Sequence, residues 1–305
     1  MRVMVTGASG FVGRAALAGL QALGHDVHAV CRTLPQGWPA ERWRAVDLLD
    51  QRVIAPVLTA IRPQAILHLG WTVEHGRFWS APENLDWSAA SLNLARAAAD
   101  AGVTRFVATG TCYEYGWPTN ADCVERSTPI QPSTLYGITK DATRRTLEAF
   151  FVENNVAFSW ARLFFLYGPG EGPNRLVSSI ARALVEGQVA KCSQGTAVRD
   201  FMDVRDCGAA LSSLIGATHT GALNVASGEA FTIADIARRL GSLADRPDLI
   251  ALGALPDRVG DPPRITADVT TLRAVTGFRP ASTLDENLKD ALAYWRGQTT
   301  GKAVA

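Results

Sequence analysis

Three glycines spaced three apart, in "VMVTGASGFVG" (Val3–Gly13), constrain the fold more than any other feature of this chain. They lie where a short buried strand, Val3–Thr6, hands over to a helix read as Phe11–Leu23. A turn of this kind needs residues without a Cβ, so that the helix packs close to the strand. The unpaired amides and positive dipole of the helix start then favour a phosphate. Gly7, Ser9, Gly10, Phe11, Val12 and Gly13 are the candidate pyrophosphate-binding residues; a tight turn with no ligand is the bland alternative. The first two glycines are separated by two residues, not the single residue of the common dinucleotide fingerprint.

Strands and helices alternate beyond this turn. Asp26–Cys31, Arg44–Val46, Ala65–Leu69, Arg105–Thr109 and Phe158–Phe164 read as strands, and Gln51–Ile61, Leu85–Ala101 and Tyr136–Glu153 as helices. Gly102 ends the second of these helices as a C-cap residue. Such alternation predicts a parallel sheet covered by helices on both faces, with ligands at the carboxyl ends of the strands. After about residue 170 the pattern changes. "YGPGEGPNR" is a loop, Leu176–Glu186 a helix, and 190–204 a hairpin or strand pair around Gly195. Gly221–Ser227 is an apolar strand placed to return to the sheet, and Thr232–Leu240 and Asp285–Trp295 are helices. The expected organisation is a dinucleotide-binding domain of 1–169 with 205–230, an interwoven smaller lobe of 170–204 with 231–298, and a tail of 299–305.

The 305 residues carry 30 basic and 29 acidic side chains without a basic block, which argues against nucleic-acid or membrane-surface partners. Five cysteines without a CxxC pair fit a reducing compartment better than a disulfide framework, and no His/Cys cluster suggests a metal. With a first strand starting at Arg2 and no apolar run long enough for a span, a cytoplasmic protein is expected.

The second strand ends in Cys31 and Arg32 where an acidic residue would select a free ribose 2′-hydroxyl. A guanidinium there pairs with a 2′-phosphate, so the expected cofactor is NADP(H) rather than NAD(H); the bland reading of Arg32 is a solvated surface side chain. Asp47, after the third strand, is placed to accept from an adenine amino group or merely to cap a helix from Leu48 onward. Leu48, Leu69 and Gly70 complete the candidate cofactor contacts at the neighbouring strand ends.

"LYGITK" puts Tyr136 and Lys140 one helical turn apart on one face. A nearby ammonium favours the phenolate, which predicts a lowered Tyr136 pKa and a proton donor or acceptor at a carbinol oxygen. Thr111, in "TGTCYEYG", offers a hydroxyl to the same oxygen. Thr111, Tyr136 and Lys140 are the candidate catalytic set.

TGxxGxxG, a hydroxyl residue before "YG", and YxxxK together resemble the extended short-chain dehydrogenase/reductase family, the NAD-dependent epimerase/dehydratase enzymes, and its nucleotide-sugar branch in particular. "RDFMDVRD" (Arg199–Asp206), "DRVGDPPRITAD" (257–268) and "TGFRP" (Thr276–Pro280) extend the resemblance over nearly the whole chain. It implies a Rossmann-type doubly wound parallel sheet with a smaller α/β substrate-binding lobe. It implies Lys140 on the nicotinamide ribose, Tyr136 as the proton donor or base, and Thr111 orienting the carbonyl. It also implies Arg258 on a sugar-nucleotide pyrophosphate and Arg199 on the nucleotide. Cys112, Tyr113, Phe165 and Arg175 complete the expected substrate contacts. The family's pairing of the helices here read as Leu85–Ala101 and Tyr136–Glu153 implies a homodimer.

Departures from the family narrow the reaction. Cys112 and Tyr113 occupy the places of the dehydratase acids, and Glu114, one step later, faces another way if the stretch is extended. Cys112 stands one residue short of the cysteine of the 3,5-epimerases and reads as packing. Phe165 replaces an Asn that touches the sugar nucleotide, and Trp87 occupies the register of another Asn. With "GWTVEH" (Gly70–His75) and Trp79, this indicates an aromatic wall, or tryptophans that merely pack between helices. His68 reads as a satisfied strand residue. The leading expectation is an NADPH-dependent reductase of a nucleotide-linked keto sugar, a 4-keto-6-deoxyhexose above all. The alternatives are a nucleotide-sugar 4-epimerase on the same residues and a non-catalytic NADP-sensing protein.

Overall fold

The computed structural model describes residues 1–34, 41–118 and 120–302. In chain order the first half contains β1 (Arg2–Thr6), α1 (Phe11–Ala22), β2 (Asp26–Cys31), β3 (Trp43–Ala45), α2 (Ile54–Ile61), β4 (Ala65–His68), α3 (Glu83–Asp100), β5 (Arg105–Thr111), α4 (Leu135–Glu153) and β6 (Ala157–Leu163). Then come β7 (Phe165–Tyr167), α5 (Leu176–Val185), β8 (Ala190–Lys191), β9 (Val198–Arg199), β10 (Phe201–Asp203), α6 (Val204–Gly216) and β11 (Gly221–Val225). The chain closes with β12 (Phe231–Thr232), α7 (Ile233–Leu243), β13 (Ile250–Ala251), β14 (Arg264–Ile265), α8 (Thr270–Thr276) and α9 (Leu284–Lys302).

Seven strands form one sheet in the order β11-β6-β5-β4-β1-β2-β3, and every neighbouring pair is parallel. The chain winds outward from β1 to β3, then crosses back to β4 and out the other way. The strand order reverses between β1 and β4, where a crevice opens at the carboxyl ends. Both faces are buried, so the central strands are continuous apolar runs such as "AILH" in β4, not alternating ones. On one face Ala16, Leu17 and Leu20 of α1 pack with Ala210, Leu211 and Leu214 of α6. On the other, Val57, Leu58, Leu94, Ala98, Leu147 and Phe151 bring α2, α3 and α4 onto the sheet. Truncating a side chain as deep as Leu94 to alanine costs about 2–5 kcal/mol.

A third core joins Tyr167, Val177, Ile180, Leu184, Ile236, Leu240, Leu288 and Leu292, from α5, α7, α9 and β7. It builds the smaller lobe. Ile265, Ala267, Val269, Leu272 and Phe278 belong to the sheet-side core instead, so this stretch of the expected lobe packs with the larger unit. The final helix runs on to Lys302, past the expected boundary at 298; residues 303–305 of the expected tail lie outside the described residues.

The expected hairpin over 190–204 does not form. β8 pairs with β13, β9 lies between β12 and β14, and β10 pairs with β7. Gly195, at φ +71°, instead turns the chain against the start of α7, where its carbonyl accepts from Ala234 N at 3.0 Å. A Cβ there would lie 2.7 Å from that nitrogen. Gly221–Val225 does return to the sheet, as β11 beside β6. Among the described residues no helix is long and apolar enough to cross a membrane.

Candidate active site

A cavity of about 1010 Å³ runs from the glycine turn, across the carboxyl ends of β1, β4 and β5, to the smaller lobe. Gly7 stands at φ +65°, and a Cβ on it would come within 2.9 Å of the Leu69–Gly70 backbone. Gly10 caps α1 without a side-chain hydrogen bond, and no acidic residue lies in the first turn. The first-turn amides are therefore left open to an anion, as a pyrophosphate requires. Gly7, Ser9, Gly10, Phe11, Val12 and Gly13 all stand on the cavity wall. So do Arg32, Leu48, Leu69 and Gly70 further along it. Arg32 is exposed there and has no carboxylate partner among the described residues. These residues fit a bound dinucleotide.

Asp47 stands apart from the other expected cofactor contacts. It is not among the residues lining the cavity; its Oδ1 accepts from Leu49 N at 3.1 Å and closes a local turn. His68 is held on both ring nitrogens. Ser91 Oγ donates to Trp87 O at 2.7 Å, so His68 Nε2 donates to Ser91 Oγ at 2.8 Å. His68 Nδ1 then accepts from Thr6 Oγ1 at 2.7 Å. Burial drives the imidazole pKa down to about 3, and it stays neutral.

Thr111 ends β5, and α4 presents Tyr136 and Lys140 from its first two turns. Thr134 caps α4 by accepting from Gly137 N at 3.1 Å. Gly137 is where the helix meets the catalytic loop: a Cβ there would collide with the Tyr113 carbonyl. Tyr136 N donates to Trp79 O at 3.1 Å, and the phenol ring meets Phe78 edge-on at 4.9 Å. Lys140, 4% exposed, donates from Nζ to Thr109 O at 2.9 Å and lies 3.7 Å from the centre of the Trp71 ring. That indole is itself fixed, donating from Nε1 to Asn84 Oδ1 at 2.8 Å.

The expected depression of the Tyr136 pKa by Lys140 is not what this geometry gives. Burial pushes the phenol up, with the Thr111 hydroxyl the main group holding it down. Burial lowers the ammonium to about 7. The lysine is turned to a backbone carbonyl and an indole face, so the phenol remains protonated at neutral pH.

The far end of the cavity is aromatic. Trp79 packs edge-on against Tyr113 at 4.5 Å, and Tyr113 against Phe165 at 6.3 Å. Cys112, Tyr113, Phe165, Arg175 and Arg258 line this end. Burial pushes the Cys112 thiol up, which leaves it a protonated packing group. The Arg258 guanidinium lies 5.3 Å from the Trp79 ring and that of Arg175 5.8 Å from Phe78. Arg175 acts on the Glu171 carboxylate of the same cavity, and Arg258 forms no ion pair among the described residues. Arg199 differs from expectation. It is buried behind the wall, donating to Asp261 Oδ2 at 2.7 Å, and so ties down the loop that carries Arg258. Trp87 is both core and wall, since its ring packs where a Cβ on Gly70 would lie 2.9 Å away.

Three residues of the site carry little signal in the sequence. Phe78 and Asn84 lie in a segment dominated by its tryptophans. Glu171 lies in "YGPGEGPNR", where an acid just before a helix start is the available signal. Its carboxylate lines the cavity, accepts from Ser178 N and Oγ at 3.2 and 2.7 Å, and is pushed up to about 7 by burial.

The sheet, its switch-point cavity and the Thr–Tyr–Lys group define a dinucleotide-dependent enzyme of the doubly wound α/β class. The profile of the NAD dependent epimerase/dehydratase family matches residues 3–226. A dTDP-6-deoxy-L-talose 4-dehydrogenase (NAD(P)(+)) of Kitasatospora kifunensis is 27% identical, over 98% of this chain and 96% of that one. A 3-diazoavenalumate denitrifying reductase of a Streptomyces species is also 27% identical, over 93% and 95% of the two chains. The structure of MoeE5 in complex with UDP-glucose and NAD superposes with a TM-score of 0.82 at 28% identity, covering both chains in full. The chain belongs to the NAD dependent epimerase/dehydratase family. It is an NAD(P)-dependent oxidoreductase-type enzyme.

Proposed function

We propose that this enzyme is an NADPH-dependent reductase of a nucleotide-linked keto sugar, with a 4-keto-6-deoxyhexose as the sugar. One observation carries the reading: the Tyr136 phenol shares its cavity with two guanidiniums, Arg175, which faces Glu171, and Arg258, which forms no ion pair among the described residues. Reduction of a carbonyl needs a proton donor, and a neutral phenol is one. Guanidiniums suit the two phosphates of a nucleotide sugar. The aromatic wall of Trp79, Tyr113 and Phe165 suits a sugar face rich in C–H groups, such as one bearing a methyl at C6.

A bound nicotinamide supplies the hydride. Thr111 and Tyr136 hold the carbonyl oxygen between two hydroxyls, and Tyr136 passes its proton to that oxygen as the alkoxide forms. Lys140 would hold the ribose hydroxyls of the bound cofactor, and the Thr111 hydroxyl favours the phenolate left behind. Arg32, exposed on the wall, would hold the 2′-phosphate of NADPH. The seven-stranded sheet holds the cofactor and the smaller lobe the substrate. Leu85, Ile138 and Val152, exposed on α3 and α4, support the pairing of two copies through these helices.

The second reading is a nucleotide-sugar 4-epimerase, favoured by the family description and by the UDP-glucose and NAD held in the MoeE5 structure. The test is NADPH absorbance with a panel of dTDP-, CDP-, GDP- and UDP-4-keto-6-deoxy sugars. Stoichiometric NADPH loss supports the reductase. Conversion of a plain nucleotide sugar without net cofactor change replaces it with the epimerase.

A further inference from the structure

Glu114 is a fully buried carboxylate that the reaction as described does not use. The chain at Cys112–Glu114 forms one 3-10 turn instead of the extended segment its sequence suggests, and this swings the carboxylate away from the cavity into the core. Oε1 accepts from Thr111 N and from Trp160 Nε1, each at 2.9 Å. Oε2 accepts from Arg162 Nε at 2.7 Å. Arg162 Nη1 donates on to Tyr115 Oη at 3.1 Å, whose hydroxyl donates to Asn224 Oδ1 at 2.7 Å. A Cβ on Gly110 would collide with Glu114 Oε1 and Trp160 Nε1, so glycine at 110 makes room for the pair.

A buried ion pair is weak as a device for stability, since an apolar pair of similar volume does as well. Its attachment to the catalytic loop is the informative part. The turn that Glu114 closes directs Tyr113 N onto Thr111 Oγ1 at 3.3 Å, so the Thr111 hydroxyl hydrogen is left to the Tyr136 side of the cavity. The indole that Glu114 holds lies 5.7 Å from Lys140 Nζ. Two titratable groups interact with that ammonium, His68 of β4 and Glu114. Burial keeps His68 neutral, and Glu114 favours the charged lysine.

We propose that Glu114 is a positioning residue for the catalytic group, fixing the Thr111 backbone and the Trp160 indole and supplying the negative charge that faces Lys140. One carboxylate thereby sets both the geometry of the hydroxyl donor and the charge of the lysine. The proposal rests on the reading of Thr111 and Lys140 as reacting groups, but half of its test needs no substrate.

Glu114→Gln is made in the full chain, and folding is checked by circular dichroism. The pH dependence of Lys140 acetylation by acetic anhydride, followed by peptide mass spectrometry, reports the titration of the amine in the absence of substrate. In the variant this titration moves to lower pH than in the wild type. With substrate, kcat falls about 10- to 100-fold, as when partners that orient a reacting group are removed, while KM stays within about threefold. If Glu114→Gln does not fold, Glu114→Asp keeps the charge and shortens the reach. It leaves the Lys140 titration in place and lowers kcat. An unmoved Lys140 titration in folded Glu114→Gln overturns the proposal, as does a wild-type kcat in either folded variant. A shifted titration in an enzyme that turns over no keto sugar would uphold the electrostatic role and count against the proposed substrate alone.

Discussion

The two ends of the cavity are built by different means. The cofactor end is a backbone device: Gly7, Gly10 and the uncapped start of α1 form it, and side chains contribute little beyond Arg32. The proposed substrate end is made by side chains, Trp79, Tyr113, Phe165, Arg175 and Arg258, brought together from segments far apart in sequence. A backbone device tolerates few changes and recognises a phosphate wherever it recurs. A side-chain wall is free to change its occupant while the fold and hydride chemistry stay the same. Tyr136 stands at the seam, packed against the wall by Phe78 and aligned with the strand ends by α4.

Substitutions on the two sides of that seam put the comparison at risk. Tyr136→Phe should lower kcat by about 10²- to 10⁴-fold while leaving NADPH affinity unchanged by fluorescence titration. A wild-type rate would remove Tyr136 from the chemistry. Arg258→Ala, at the substrate end, should raise KM for a nucleotide-linked substrate about 10- to 100-fold with little change in kcat. A matching loss with a free, uncharged ketone would show that the arginine does not serve a phosphate. Arg32→Ala, at the cofactor end, should reduce the preference for NADPH over NADH by about tenfold without altering KM for the sugar. An unchanged preference would make Arg32 a solvated side chain.

The smallest effect concerns Glu171. Its carboxyl is raised in the fold to about 7 from an ordinary value of 4.5. The unfolded chain releases that proton first, so the stability linked to it is full below pH 4.5 and is lost as pH rises to about 7. Glu171→Gln should therefore match the wild type in thermal unfolding at pH 4.5 and exceed it at pH 8 by about 1 kcal/mol. A difference independent of pH would show that the carboxyl does not titrate in this range.

The same division explains what the sequence discloses. The doubly wound sheet is legible because its strands are continuous apolar runs between amphipathic helices, and α1, α4 and β11 lie close to their expected places. The glycine turn and the Tyr136–Lys140 spacing are legible because both are local. The strands of 190–204 are not, because segments of two or three residues choose partners by tertiary packing, here β12, β13, β14 and β7. Arg199 has the residue type a ligand would use, yet Asp261 takes it up. The direction of the Tyr136 shift is not readable from spacing, which gives the neighbour but not its orientation: Lys140 points at Thr109 O and Trp71. The Glu114–Arg162 pair spans 48 positions of sequence, and no local pattern announces it.

The central claim is net hydride transfer to a keto sugar. Enzyme is incubated with [4-²H]NADPH, deuterated on the transferred face, and dTDP-4-keto-6-deoxyglucose, and the sugar product is weighed by mass spectrometry. The account predicts a 6-deoxy sugar nucleotide carrying one deuterium at C4, with one NADP⁺ formed per product. A product without deuterium, or turnover of plain UDP-glucose with no net NADP⁺, would contradict it.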